Sequence, residues 1–409
     1  MEVTSWLPII GLAFAAFVFN TSEFLPVGLL PDIAESLGET VSFTGLMITG
    51  YAWVVAVMSL PLTIATATFE RRKLLLFLIF CFALAHIVVL WVGSFATLLA
   101  ARVAVALTHS VFWSIMTPLA ARMAPKGKRA VGLAAVMGGT IVATVMGIPI
   151  GTKLGQMMGW QEAFFVIGAA ALLLMIYIYV YLPPCPSSSA GSLTSLPVIL
   201  KRPALLQLYF LTVVTVLGHF TVYSYIAPIF QADGGYGPTD TVLFLFVFGI
   251  SGIIGTLITT KVVDKHVSAT LTVPLIIIAA SLFLLFPACA TYPSTILLLV
   301  VWGAAMTSVM LAFQTVLLTV APDAADIATS IYSGIFNVGI GGGAFVGSLI
   351  SQHWGFHPLT FAGGSMVVIT AGFCLILWLK TGSAVFAIEK VETKAVQPAT
   401  KRTLAQTSD

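Results

Sequence analysis

The chain has 409 residues, 59% of them hydrophobic and only 8% charged, against roughly 25% charged in an ordinary soluble domain. A water-soluble protein must cover its core with polar groups, so this composition excludes a soluble fold and points to a bilayer as solvent. A formal net charge of +3 is too small for a nucleic-acid-binding surface.

A helix needs ~20 apolar residues to cross ~30 Å of hydrocarbon, and charge-free runs of that length recur along the chain. The first predicted span, near 7–29, starts at Trp6 with no basic residue before it. It is too long for a signal-peptide core and reads as a retained first span. It holds Asn20 and, one turn on, Glu23, the only acidic residue in the interior of any predicted span. An ionised carboxylate at a helix centre costs ~3 kcal/mol on insertion scales, so Glu23 is either protonated or paired. A carboxylate that alternates between those states carries protons; the plainer reading is a structural ion pair or a span end in contact with water.

The second and third spans, near 41–65 and 74–93, bring Tyr51 and His86. The fourth, near 97–120, carries Arg102, Ala106, His109 and Trp113 on one helix face. Arg102 falls in the outer third, and Glu23 in the outer half, at depths that permit them to pair. His109 lies near the midplane and titrates near neutrality, so it is a second candidate proton site or a hydrogen-bonded packing residue. Trp113 has the flat face to stack on a ligand, or serves packing alone. The fifth span, near 130–152, contains Gly147-Ile-Pro149-Ile-Gly151. Small residues let helices approach closely and proline bends or opens a helix, which makes Gly147, Pro149 and Gly151 either a hinge or a tight static contact.

A sixth span near 163–182 completes the first half, 1–182. Residues 183–203 open on Pro-Pro-Cys-Pro-Ser-Ser-Ser-Ala-Gly and read as a cytoplasmic linker. Six more spans follow, near 204–230, 240–260, 268–289, 294–318, 328–350 and 359–379, giving a second half, 204–380. His219 and Tyr223 lie one turn apart on the seventh, and Asn337 is on the eleventh. Asn20, Tyr51, His86, Trp113, His219, Tyr223 and Asn337 thus recur at similar depth in both halves. They predict a central polar cavity for a neutral polar ligand such as a sugar, or for a planar drug; polar side chains in spans also serve simply as helix–helix glue. The tail, 381–409, is polar with charges of both signs and is predicted to be disordered. Cys81, Cys185, Cys289 and Cys374 are too scattered for a disulfide framework or metal site.

Sixteen of the 18 basic residues fall in loops or tail on the side shared by both termini. Positive loops stay inside, so both termini are expected to be cytoplasmic. The halves also echo each other. Ala124-Pro after the fourth span returns as Ala321-Pro after the tenth, and Gly159-Trp160 before the sixth as His353-Trp354 before the twelfth. The fold class is therefore an all-α polytopic membrane protein, twelve transmembrane helices in two pseudo-symmetric bundles of six.

No GxxxxGK[ST] loop is present for a nucleotide-driven pump. Ser110, next to His109, cannot face it on a helix, so no catalytic pair supports an enzyme. A channel or receptor fits the duplicated halves less well than alternating access does. The expected partners are a small molecule, protons and the lipid bilayer, with no nucleic acid. A proton gradient stands in place of any cofactor, and the chain is taken as a monomer.

At these motifs the sequence resembles the major facilitator superfamily, in particular its drug/proton antiporter branch. Arg102 matches that branch's intramembrane arginine, with Ala106 where a glycine is usual. Gly147 to Gly151 is a variant of its antiporter motif, and Glu70-Arg-Arg-Lys73 is a remnant of its helix 2–3 loop motif. Five segments are similar to bacterial sugar efflux transporters of the branch: Phe19–Phe24, Tyr51–Pro61, His109–Ser114, His219–Ile226 and Ser333–Gly339. The resemblance implies proton-driven export of sugars of the arabinose or thiogalactoside type across a bacterial inner membrane. Relatives in the branch export purine nucleosides or chloramphenicol.

Overall fold

The computed structural model describes residues 5–125, 128–187, 201–263, 265–321 and 325–381. Most of the expected linker and nearly all of the tail lie outside the described residues. Eleven helices among those described are long and apolar enough to span a membrane, and a twelfth is somewhat shorter. In chain order they are α1 Leu7–Leu37, α2 Val41–Ala65, α3 Arg71–Trp91, α4 Phe95–Met123, α5 Val131–Met158 and α6 Trp160–Tyr181. The second six are α7 Pro203–Tyr223, α8 Pro238–Val262, α9 Val267–Phe283, α10 Tyr292–Val320, α11 Ile327–Trp354 and α12 His357–Lys380. These helices are apolar on every side. On α6, Leu173, Ile176 and Val180 are exposed while Ala171, Leu174 and Ile178 are buried, a pattern stable only when lipid replaces water around the bundle.

The first helix overruns its predicted end by two turns. Pro26 and Pro31 lie inside it, where the sequence suggests a stop near residue 29. It ends at Gly38, whose φ of 67° is left-handed and whose N–H turns back to Ala34 and Glu35. Thr40 and Ser94 then cap α2 and α4 by accepting from the N–H groups of Phe43 and Thr97. Within α5, residues Ala143–Gly147 form a π-helical turn just before Pro149; proline cannot donate to the carbonyl four residues back, and the ladder loosens there.

Helix pairing in the second half repeats that in the first. α1 packs on α5 and α6, α2 on α4, and α3 on α4 and α6; six helices later, α7 packs on α11 and α12, α8 on α10, and α9 on α10 and α12. One of the two echoes seen in the sequence falls at matching places; the other does not, because Trp160 opens α6 whereas Trp354 closes α11. Ala124 and Ala321 are the C-caps of α4 and α10. The glycines that do correspond are Gly159 and Gly355, with φ of 114° and 77°, in the turns into α6 and α12.

The halves meet through α2 against α11 and α5 against α8. With an even number of spans, α1 begins and α12 ends at one end of the bundle, here called proximal. Hydrogen bonds join the halves toward the distal end. Ser348 donates to the Ser42 carbonyl at 2.7 Å and Ser351 to the Ser42 hydroxyl at 2.8 Å. Thr49 donates to the Gly341 carbonyl at 3.1 Å, and the Gln156 amide to the Pro238 carbonyl at 3.1 Å. Tyr225, fully buried beyond the end of α7, sits against Gly45 of α2, where an added Cβ would stand 2.2 Å from its hydroxyl.

Candidate functional site

Polar side chains inside the first half gather on α1, α2 and α4 near mid-bundle. Glu23 and His109 each lie close to the midpoint of their helices, and both are buried, with relative exposures of 9% and 1%. Glu23 Oε2 stands 3.5 Å from His109 Nε2. The same nitrogen accepts from Trp113 Nε1–H at 2.6 Å, and His109 Nδ1 is hydrogen-bonded with the Tyr51 hydroxyl at 2.6 Å. Four residues singled out in the sequence thus form one connected network.

Arg102 joins it differently from expectation. Its Nη1 donates to the Ser22 carbonyl at 3.0 Å and its Nη2 to the Glu23 carbonyl at 3.4 Å. Its guanidinium lies 4.2 Å from the centre of the Tyr51 ring. The Glu23 carboxylate faces His109, so the expected Arg102–Glu23 pairing is made through the backbone. Two physical causes are visible. Extension of α1 to Leu37 puts Glu23 at mid-helix, level with His109 and about two turns from Arg102. And Pro26, which has no N–H, leaves the carbonyl of Ser22 without its helical donor.

His86 is a brace between α3 and α1. Its Nδ1 donates to the Phe82 carbonyl at 2.8 Å, which leaves Nε2 to accept from the Ser22 hydroxyl at 2.7 Å. Beneath the network, Phe19 stacks between Phe82 and Phe112, with ring centroids 4.1 and 3.8 Å away. Asn20 turns to α5 and donates to the Thr140 carbonyl at 3.5 Å. Gly147 and Gly151 face Thr21 and Leu25 of α1, where added Cβ atoms would stand 2.1 and 2.8 Å from side-chain atoms. They are points of close packing of α5 on α1, with Pro149 buried between them.

The second half presents an aromatic cluster instead. His219 and Tyr223 of α7 stack at 5.0 Å, and Phe248 of α8 and Trp302 of α10 close around them, with centroids 6.1 and 5.3 Å from His219. His219 Nδ1 and Trp302 Nε1 are buried without a hydrogen-bond partner. Sequence reasoning misses Phe248 and Trp302, because an aromatic residue in an unbroken apolar run looks like any packing residue. Asn337 donates to Ser333 of its own helix at 3.0 Å, and its Oδ1 is buried and unpartnered. The two clusters approach each other through their sequence neighbours: Phe24 and Phe220 stack across the halves at 5.9 Å.

At the proximal end, Glu70 caps α3 by accepting from Arg72 and Lys73 N–H, each at 2.9 Å, and from Cys185 N–H at 2.5 Å. Arg71 N–H answers to the Cys185 carbonyl at 2.9 Å, and Arg122 donates to Pro186 at 2.7 Å. The stretch after α6 is therefore fastened to the α2–α3 turn. Burial pushes the Glu70 carboxyl upward, but the backbone donors of Arg72, Cys185 and Lys73, with the Lys73 charge, outweigh it and hold it below the ordinary glutamate value.

This architecture recurs in known proteins. It resembles a bacterial homolog of the human lysosomal transporter Spinster in its inward-facing, unoccupied conformation. There the TM-score is 0.76 at 14% identity, over 93% of this chain and 97% of that one. An inward-facing, occupied structure of such a homolog gives 0.71 at 15% identity, over 90% and 95%. The human organic anion transporter MFSD10 (TETRAN) gives 0.68 at 14% identity, over 90% and 99%. Such identities speak for the fold alone. The family model described as Major Facilitator Superfamily matches residues 12–343. With that match and the paired six-helix halves, the chain belongs to the major facilitator superfamily and is a transporter rather than an enzyme.

Proposed function

We propose that this transporter is a proton-coupled antiporter that exports sugars of the arabinose or thiogalactoside type across a bacterial inner membrane. It works as a monomer, by alternating access, with both termini in the cytoplasm. The observation that carries the proposal is the buried Glu23–His109 pair, 3.5 Å apart at mid-bundle. A carboxylate and an imidazole at that distance share or exchange a proton as their surroundings change. Placement of sixteen of the 18 basic residues supports a proximal end that faces inside. The distal hydrogen bonds then correspond to a form closed to the outside.

The sugar reading rests on the second half. His219 Nδ1 and Trp302 Nε1 lack partners in a buried, aromatic setting, and an unmatched buried polar atom costs about 1–3 kcal/mol. Ligand hydroxyls would satisfy them while ring faces cover the apolar side of a sugar. Charged residues of α7 to α12 sit at helix ends, as do Asp240, Lys261 and Lys380. Arg102, at mid-bundle in the first half, is already engaged by Ser22, Glu23 and Tyr51. This chemistry suits a neutral ligand better than an organic anion. The aromatic faces of Tyr223, Phe248 and Trp302 equally favour a planar drug or purine nucleoside as the second reading.

Reconstituted vesicles made acid inside should accumulate labelled arabinose as protons leave, and unlabelled thiogalactoside should compete. Accumulation of a nucleoside or a drug with no uptake of either sugar would replace the substrate class. No gradient-driven uptake of any of them would reject the antiport.

A further inference from the structure

His109 Nε2 is approached by two groups that require opposite states of it. The indole N–H of Trp113, 2.6 Å away, can only donate, so that bond exists only while Nε2 carries a lone pair. An ionised carboxylate can only accept, so Glu23 Oε2, at 3.5 Å, is served by Nε2 when that nitrogen carries hydrogen. On the other side of the ring, the Tyr51 hydroxyl at 2.6 Å donates or accepts and tolerates either state. The protonation state of His109 is therefore registered by a choice between Trp113 and Glu23.

Resting on the proton-coupled reading above, we propose that Trp113 is a proton-controlled positioning residue: its indole binds His109 Nε2 when that nitrogen is bare and is released when a proton arrives there. The proton comes from water or from a protonated Glu23. One hydrogen bond, Trp113 to His109, breaks, and one, His109 to Glu23, forms. Trp113 is the member of the network with room to respond, being half-buried while Tyr51, Glu23 and His109 are buried. It lies one turn from His109 toward the proximal end, away from the distal contacts. Released, the indole is free to turn away from His109, and its face reports the proton to a bound molecule. The titratable and charged groups around His109 are Glu23 on α1, Tyr51 on α2, His86 on α3 and Arg102 on α4. His86 has both nitrogens engaged by Ser22 and Phe82, Arg102 stays charged throughout, and α5 carries only Lys153, near its distal end.

The test needs protons alone. The chain has eight tryptophans, and the indole N–H resonances of isotope-labelled full-length protein in lipid nanodiscs can be followed by NMR from about pH 9 to about pH 5, a range that brackets an imidazole. The Trp113 signal is the one lost in Trp113→Phe or, if that variant does not fold, in Trp113→Tyr. It should begin far downfield, as a strong donor, and move upfield on acidification. In His109→Gln it should hold still. A Trp113 signal that never moves, or that moves equally in His109→Gln, overturns the proposal. Accumulation of arabinose with a static signal rejects this switch alone, whereas a titrating signal without gradient-driven transport rejects the antiport and leaves the switch standing.

Discussion

Arg102 donates to the carbonyl oxygen of Ser22 at 3.0 Å, supplying the hydrogen bond that Pro26, four residues further on, has no N–H to make. The intramembrane arginine thus repairs a helix while standing close to the acid in the very next position, Glu23. Its charge is spread over two carbonyls and a tyrosine ring, and the Glu23 carboxylate is left to His109.

Loss of this repair should be measurable. Arg102→Ala removes charged hydrogen bonds worth roughly 1.5–3 kcal/mol each and should lower the thermal unfolding midpoint by several degrees. Lysine lacks the planar fork and should recover only part of it. In the Pro26→Ala background, the new backbone N–H can donate to the Ser22 carbonyl, so the penalty of Arg102→Ala should shrink. Equal penalties in both backgrounds would remove Pro26 from the explanation.

Substrate contacts should separate from proton contacts. Trp302→Phe keeps the ring stack on His219 but deletes the buried N–H. One hydrogen bond is worth about 0.5–1.5 kcal/mol, so sugar affinity should fall roughly threefold to tenfold with an unchanged pH profile. Equilibrium binding of arabinose at two pH values checks both parts.

The distal contact depends on a missing side chain. A Cβ at Gly45 would stand 2.2 Å from the Tyr225 hydroxyl, so Gly45→Val should disfavour the distal-closed form. Cysteine probes placed near Ser42 and Ser348 should then label faster in Gly45→Val than in the parent, while unchanged labelling would mean that Tyr225 yields.

The Glu70 cap carries its own pH dependence. Because its carboxyl is held below the ordinary value of 4.5, its stabilisation is fully present above that value. It is lost as pH falls through the lowered folded one. Glu70→Gln should therefore be less stable than the parent at neutral pH and converge with it in strong acid. Thermal unfolding at the two extremes distinguishes this from a pH-independent loss.

Much of this was legible in the sequence, and the gaps have physical reasons. Spans stood out because charge is so costly in hydrocarbon, and Glu23, Arg102 and His109 stood out for the same reason. Depth and helix face are readable from spacing; the rotation of one helix against another is not. For that reason Glu23 could be placed near Arg102 but not assigned to His109, and His86 could not be told apart from a cavity residue. Pro31 and Asp32 disguised the last turns of α1, since a proline near a charge reads as a helix end. Trp302 gave no signal, because its unmatched N–H becomes visible only when its neighbours are known.

The most direct measurement is proton movement driven by sugar. In vesicles holding a pH-sensitive dye, with no imposed pH gradient, an inward arabinose gradient should drive protons out and make the lumen alkaline. Glu23→Gln should abolish that change yet still exchange labelled for unlabelled arabinose across the membrane. Alkalinisation that persists at the parent rate in Glu23→Gln would contradict the role given to the Glu23–His109 pair.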